Sequence, residues 1–171
     1  MVRRSFLLPH HTTKRKELVD EMIIVCDNRE QHPLTFRKSK WVEGTVIKKL
    51  DVGDYSILGE EDKIAIERKN PADLFGTLGK GHSRFKRELE RAQKLDFFAV
   101  VVEATWTDIV NKSFEGAHYI GMRGDVVGQI CATLAVKYGI FFFFCKDRVE
   151  AVSIIRALFK AYMKLKQVRE K

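Results

Sequence analysis

An α/β fold, with a mixed β-sheet flanked by helices, is what this sequence predicts, and three observations carry it. Short runs rich in β-branched and aromatic residues recur along the chain. Between the later runs the apolar residues switch to helical spacing. Strands come first and then alternate with helices, an order that lays helices against the faces of one sheet.

The elements follow in order. Residues 1–20 are basic and weakly patterned, with Arg3, Arg4, Lys14, Arg15 and Lys16, and read as an arm ahead of one domain over 21–171. Met22–Cys26 is an apolar strand ending at Asp27, followed by a loop over 28–33 and a second strand over 45–48. Segments 55–58 and 64–66 form a hairpin across the turn Gly59-Glu60-Glu61-Asp62. A helix then begins with Asn70 as N-cap, Pro71 in the first position and Asp73 in the third. Leu74, Phe75 and Leu78 form its apolar face, and Gly79-Lys80-Gly81 breaks it. Ser83 is expected to cap the next helix, in which Phe85, Leu89 and Ala92 recur at helical spacing. Phe97–Val102 is a fully apolar strand, and 106–110 starts another helical piece. A helix over 125–138 has Val127, Ile130, Leu134 and Val136 as its expected buried positions and stops at Gly139. Residues 140–144 read as a buried strand whose four phenylalanines are sheet core. A last helix, from 148 to about 168, turns Val152, Ile155, Leu158, Phe159 and Tyr162 inward and lysines outward.

Composition narrows the function. With 171 residues, 45% hydrophobic and 32% charged, the chain is an ordinary globular domain. Its net charge of +8 suits a polyanion, nucleic acid first, although a plain basic surface has the same composition. Cys26, Cys131 and Cys145 lie in apolar runs without metal-ligand spacing, which excludes a disulfide framework and a zinc site. No apolar run approaches a membrane span, and an intracellular protein is expected.

The chemistry gathers in one stretch, Gly53-Asp54-Tyr55 and then Glu67-Arg68-Lys69-Asn70-Pro71-Ala72-Asp73. Side chains alternate along a strand, so Glu67 and Lys69 share one face and Arg68 takes the other. Folding the hairpin brings Asp54 toward Glu67. Two carboxylates beside an ammonium suit phosphodiester hydrolysis assisted by a hard divalent cation, because Mg²⁺ and Mn²⁺ prefer oxygen ligands. The bland alternative is a turn aspartate next to a cross-strand ion pair.

Asp54, Glu67 and Lys69 in this order resemble the PD-(D/E)XK nuclease superfamily, whose fold is a restriction-endonuclease-like mixed sheet flanked by helices. The longer run resembles the Gly-Asp-x(n)-Glu-Arg-Lys-x-x-x-Asp signature of XPF/MUS-type structure-specific endonucleases, met by Gly53, Asp54, Glu67, Arg68, Lys69 and Asp73. Asp27-Asn28-Arg29-Glu30 resembles that family's first-strand Asp-x-Arg-Glu. Val52-Gly53-Asp54-Tyr55 is similar to another of its segments, and Ser83-Arg84-Phe85 resembles its Gly-Arg-Phe helix start with serine in place of glycine. Val101-Val102-Glu103 is similar to its strand ending in an acid. The resemblance spans roughly 22–165.

It implies an Mg²⁺- or Mn²⁺-dependent endonuclease acting on branched, flapped or otherwise structured DNA, with water as nucleophile. Asp54 and Glu67 are the implied metal ligands, with Asp27 as a metal-proximal carboxylate. Lys69 orients the water, and Arg68 and Asp73 complete the catalytic set as supports. Lys80, Arg84, Lys86, Arg87 and Arg91 are the expected DNA contacts, each equally readable as a solvated charge. Family members often carry a helix-hairpin-helix module after this domain. The sequence given has no room for one, so a homodimer through the later helices or a DNA-targeting partner protein is expected to help hold DNA. Two alternatives stay open: a noncatalytic DNA-binding scaffold, and a junction-resolving or restriction-like nuclease on the same fold.

Overall fold

A computed structural model of the protein describes residues 21–169, so the expected arm over 1–20 lies outside the described residues. Six strands form one sheet: β1 (Met22–Cys26), β2 (Val42–Ile47), β3 (Tyr55–Ile57), β4 (Ile64–Lys69), β5 (Phe97–Val102) and β6 (Phe141–Phe144). Their spatial order is β2-β1-β3-β4-β5-β6. β3 runs antiparallel to both β1 and β4, while β1–β2, β4–β5 and β5–β6 are parallel. This is the mixed sheet that the sequence predicts.

Helices α1 (Pro71–Leu78), α2 (His82–Ala92), α3 (Trp106–Asn111) and α4 (Gly124–Tyr138) are joined by the long α5 (Arg148–Arg169). The two faces of the sheet carry two separate cores. Ala65, Phe98, Val100 and Val102 pack with Leu74, Phe75, Phe85, Leu89, Ile109 and Val127 from α1 to α4. Ile64, Ile66, Ala99 and Val101 point the other way, against Ile155 and Phe159 of α5. Alternation along β4 and β5 produces this division, and it also decides on which face each charged residue of β4 emerges.

Local signals set several boundaries. Asn70 accepts a hydrogen bond from the Asp73 N–H and Pro71 starts α1, as expected. Gly139 closes α4 in the left-handed region at φ 67°. Gly124 permits a close approach, since a Cβ there would lie 2.2 Å from the Ile109 carbonyl oxygen of α3.

Four expectations are corrected. β2 begins at Val42, earlier than expected, because Val42 is buried in register with Met22. Ser83 does not cap α2: the helix starts at His82, with the Gly81 carbonyl accepting from the Arg84 and Phe85 N–H groups. Val136 is 89% exposed, because helical geometry puts it on the far side from Val127, Cys131 and Leu134, the positions that α4 buries. β6 is an edge strand, so Phe141 is 54% exposed and stacks on Phe97 with ring centroids 5.4 Å apart.

Candidate active site

The site forms where the loop before β3 crosses β4. Gly53 has φ 74°, and a Cβ there would lie 3.0 Å from the Ile66 carbonyl oxygen. Glycine both adopts the turn and lets the chain press against β4. The Asp54 N–H then donates to Ile66 O at 2.9 Å, and the Asp54 carbonyl accepts from the Asp27 N–H at 2.8 Å. These bonds fix the carboxyl. Asp54 Oδ2 accepts from the Arg68 N–H at 2.8 Å, while Oδ1 carries no hydrogen bond among the described residues.

Glu67 and Lys69 emerge together on the α1–α2 side and form an ion pair, with both side chains largely buried. Lys69 Nζ lies 5.7 Å from the centre of the Phe85 ring on α2. A third carboxylate comes from the same helix: Glu88 Oε1 is 3.4 Å from the Gly53 N–H it faces. Burial pushes the Asp54 carboxyl up to about 6, against the Arg68 N–H and the Lys69 charge. Burial, then the Asp54 charge, pushes Glu67 up to about 8 despite Lys69. Burial opposes the Lys69 charge too, but Glu67, Asp54 and Glu88 outweigh it and hold the amine above its usual value. Glu67 and Lys69 therefore titrate as a coupled pair, in which burial opposes both charges and each charge favours the other.

The opposite face of β4 holds a second charge cluster. Arg68 donates to both Glu30 oxygens at 3.2 Å and pairs with Glu103 Oε2 at 3.0 Å, all three side chains being buried. Burial works against the guanidinium charge, but Glu30 and Glu103 outweigh it. Arg148 of α5 approaches Glu103 Oε1 at 3.8 Å, an oxygen without a hydrogen bond. Arg68 therefore ties β1's loop, β4 and the end of β5 together, and only its backbone N–H reaches Asp54.

The other expected site residues separate. Asp27 has both oxygens engaged: Oδ1 accepts from Arg29 N and Nε, and Oδ2 from Arg29 Nη2 and the Leu50 N–H. Its carboxylate braces the loops beside the site, and Arg29 extends the brace to Leu50 O. Asp73 is exposed in the first turn of α1, where its backbone N–H meets Asn70. Lys80, Arg84, Lys86, Arg87 and Arg91 are all exposed. Helical spacing places Arg84 and Arg91 on the Glu88 side of α2's buried stripe. Lys86 falls on the other side, in a groove with Val126, Gln129 and Tyr138.

Does this site fit a cation? Among the described residues no three His, Cys, Asp or Glu side chains gather closely enough to hold one unaided. Asp54 and Glu67 nevertheless offer hard oxygen donors, with Asp54 Oδ1 without a hydrogen bond among the described residues and both carboxyls burdened by burial. That donor set suits a divalent ion whose remaining ligands are backbone carbonyl, water and phosphate oxygens.

The ERCC4 domain profile matches residues 26–158, which takes in every site residue above. The chain belongs to the ERCC4 domain family. Among solved structures it is similar to XPF from Aeropyrum pernix, at 22% identity and a TM-score of 0.61 over 82% of this chain and 61% of that one. XPF from Aeropyrum pernix in complex with DNA is similar at 23% identity and a TM-score of 0.60, over 84% of this chain and 66% of that one. The chain thus spans less than two thirds of each of these structures and shares their fold. No curated protein sequence matches it significantly.

Proposed function

We propose that this ERCC4 domain is an endonuclease that hydrolyses phosphodiester bonds in branched, flapped or otherwise structured DNA. Water is the nucleophile and Mg²⁺ or Mn²⁺ the cofactor. The observation that carries the reading is the convergence of Asp54, Glu67 and Lys69 on one side of the β3–β4 hairpin within a chain of this family. The DNA complex of the Aeropyrum pernix protein supports the choice of ligand.

Asp54 and Glu67 would hold the cation, and Asp27 would act beside it by fixing the loop. A divalent ion supplies neutralisation of the phosphate oxygens on which charge develops. Lys69, held charged by its carboxylates, orients the attacking water and opposes the growing negative charge. Arg84 and Arg91, on the Glu88 side of α2, are placed to meet phosphates close to the site, with Lys80, Arg87 and Lys86 farther out. Arg68 supports catalysis through the strand it anchors, and Asp73 through the start of α1.

The test is a panel of labelled flaps, forks, four-way junctions and linear duplex, incubated with Mg²⁺, with Mn²⁺ and with EDTA. Metal-dependent cuts in the branched substrates are expected, with Asp54→Ala and Lys69→Ala still binding DNA but cutting at least 100-fold more slowly, about 2.7 kcal/mol of barrier. Undiminished cleavage by both variants would refute the assignment.

A further inference from the structure

Helices α2 and α4 leave between them a groove of about 370 Å³. Its floor is apolar and open to solvent: Leu134 is 6% exposed, Ile130 and Tyr138 are partly buried, and Val126 is 42% exposed. Thr133 adds little polarity, because its hydroxyl donates to the Gln129 carbonyl at 2.8 Å within α4. Each helix contributes one lysine to the rim, Lys86 from α2 and Lys137 from α4, and no Asp or Glu among the described residues lines the groove. Neither lysine has an ion pair among the described residues. Lys137 lies 5.3 Å from the centre of the Tyr138 ring, and Glu90, one turn after Lys86, forms no ion pair with it.

The lining residues of α4 recur at 126, 129–130, 133–134 and 137–138, which makes one stripe along the helix. At 1.5 Å per residue the stripe is about 18 Å long, the length of about three helical turns. A helix laid in a groove of this kind anchors through apolar side chains at i, i+3 or i+4, and i+7. Cations on both walls and no carboxylate in the lining select a helix with acidic flanks. A phosphate backbone has nothing apolar to set on such a floor. A second copy seated on its own image would bring Lys86 and Lys137 against like charges. Val136 and Phe141 lie outside the lining.

We propose that this groove receives an acidic amphipathic helix of a partner protein, with apolar side chains on Val126, Ile130, Leu134 and Tyr138 and carboxylates meeting Lys86 and Lys137. Burial of the apolar floor supplies the attraction, and the two lysines set orientation and reject basic partners. Because Lys86 is on the opposite side of α2's buried stripe from Glu88, the docked helix lies beside the acidic site without covering it. The proposal stands apart from the nuclease reading, since its ligand is a peptide and its readout is binding.

The probe is a fluorescein-labelled peptide of about 14 residues, roughly four turns of helix, with leucines at i, i+4 and i+7 flanked by glutamates. A twin carries lysines in place of the glutamates. Anisotropy of each is followed against the whole chain and against K86E/K137E, whose two sites are exposed. The proposal expects the glutamate peptide to bind wild type, and to bind K86E/K137E about tenfold more weakly, because two surface charge pairs turn from attraction to repulsion. The lysine peptide should reverse that order. If K86E/K137E does not fold, Val126→Asp decides instead: a carboxylate set in the apolar floor should weaken the glutamate peptide by a similar factor. Equal affinity of the glutamate peptide for both chains, or none for wild type, overturns the proposal. So does a labelled duplex that loses more affinity than the peptide in K86E/K137E, which would give the groove to DNA. A wild-type dimer that K86E/K137E dissociates would give it to a second copy and overturns the proposal too. A chain that binds the peptide but never cuts branched DNA loses the nuclease and keeps the groove.

Discussion

Asp54 shows what burial costs a carboxylate. Its proton affinity rises from the ordinary 3.8 to about 6 because burial penalises the charged form. A carboxyl with a raised folded value contributes fully to stability below its unfolded value, and that contribution is lost as the pH rises through about 6. Asp54→Asn, which keeps an oxygen for the Arg68 N–H, should therefore stabilise the metal-free chain at pH 8 by roughly 1–3 kcal/mol. The gain should shrink toward pH 4.5. Urea unfolding in EDTA at the two pH values checks it, and equal stabilities at pH 8 would show that the Asp54 charge is not buried. Glu88 is the site residue that sequence reasoning missed. It sits among four basic residues of α2, and its only signal was its place on the border of the Phe85–Leu89 stripe.

β4 serves two purposes at once, and strand geometry keeps them apart. Glu67 and Lys69 face the α1–α2 side, while Arg68, between them, closes the Glu30–Glu103 cluster on the α5 side. Removing one partner of a buried ion cluster is worse than never having built it, because the others stay charged and dry. Arg68→Ala should cost about 3–5 kcal/mol, measured as the shift of the denaturation midpoint. A loss under about 1 kcal/mol would place Arg68 among weak surface pairs. Elements of this kind were legible where the cause is local: the apolar run of β5, the Asn70–Pro71 start of α1, and the alternation that sorts Glu67 from Arg68. What escaped was set by distant partners. Strand order makes Phe141 an edge residue, and packing of α3 on Gly124 and Gly128 sets the phase of α4 and exposes Val136. The Asp27 carboxylate is claimed by Leu50, which no spacing rule announces.

At the scale of the whole molecule, α4, one of the two helices the expected dimer would use, carries exposed apolar side chains, though others such as Ile47 and Tyr119 lie elsewhere. Val126 and Val136 of α4 and Phe141 of β6 are exposed at 42%, 89% and 54%, while the exposed faces of α2 are mostly charged. Each is unremarkable singly; Val136, near the end of α4, and Phe141, on the edge strand that follows, are the pair closest in sequence, and apolar side chains exposed together are solvated poorly by water. Pairing two copies there would leave the acidic site on α2's side open to DNA, and would present two such sites to one branched substrate. Light scattering at micromolar concentration should then give twice the mass of one chain, and Val136→Asp should return it to one by placing a charge in the apolar contact. A wild-type chain that stays monomeric at 100 μM would leave each copy to act alone.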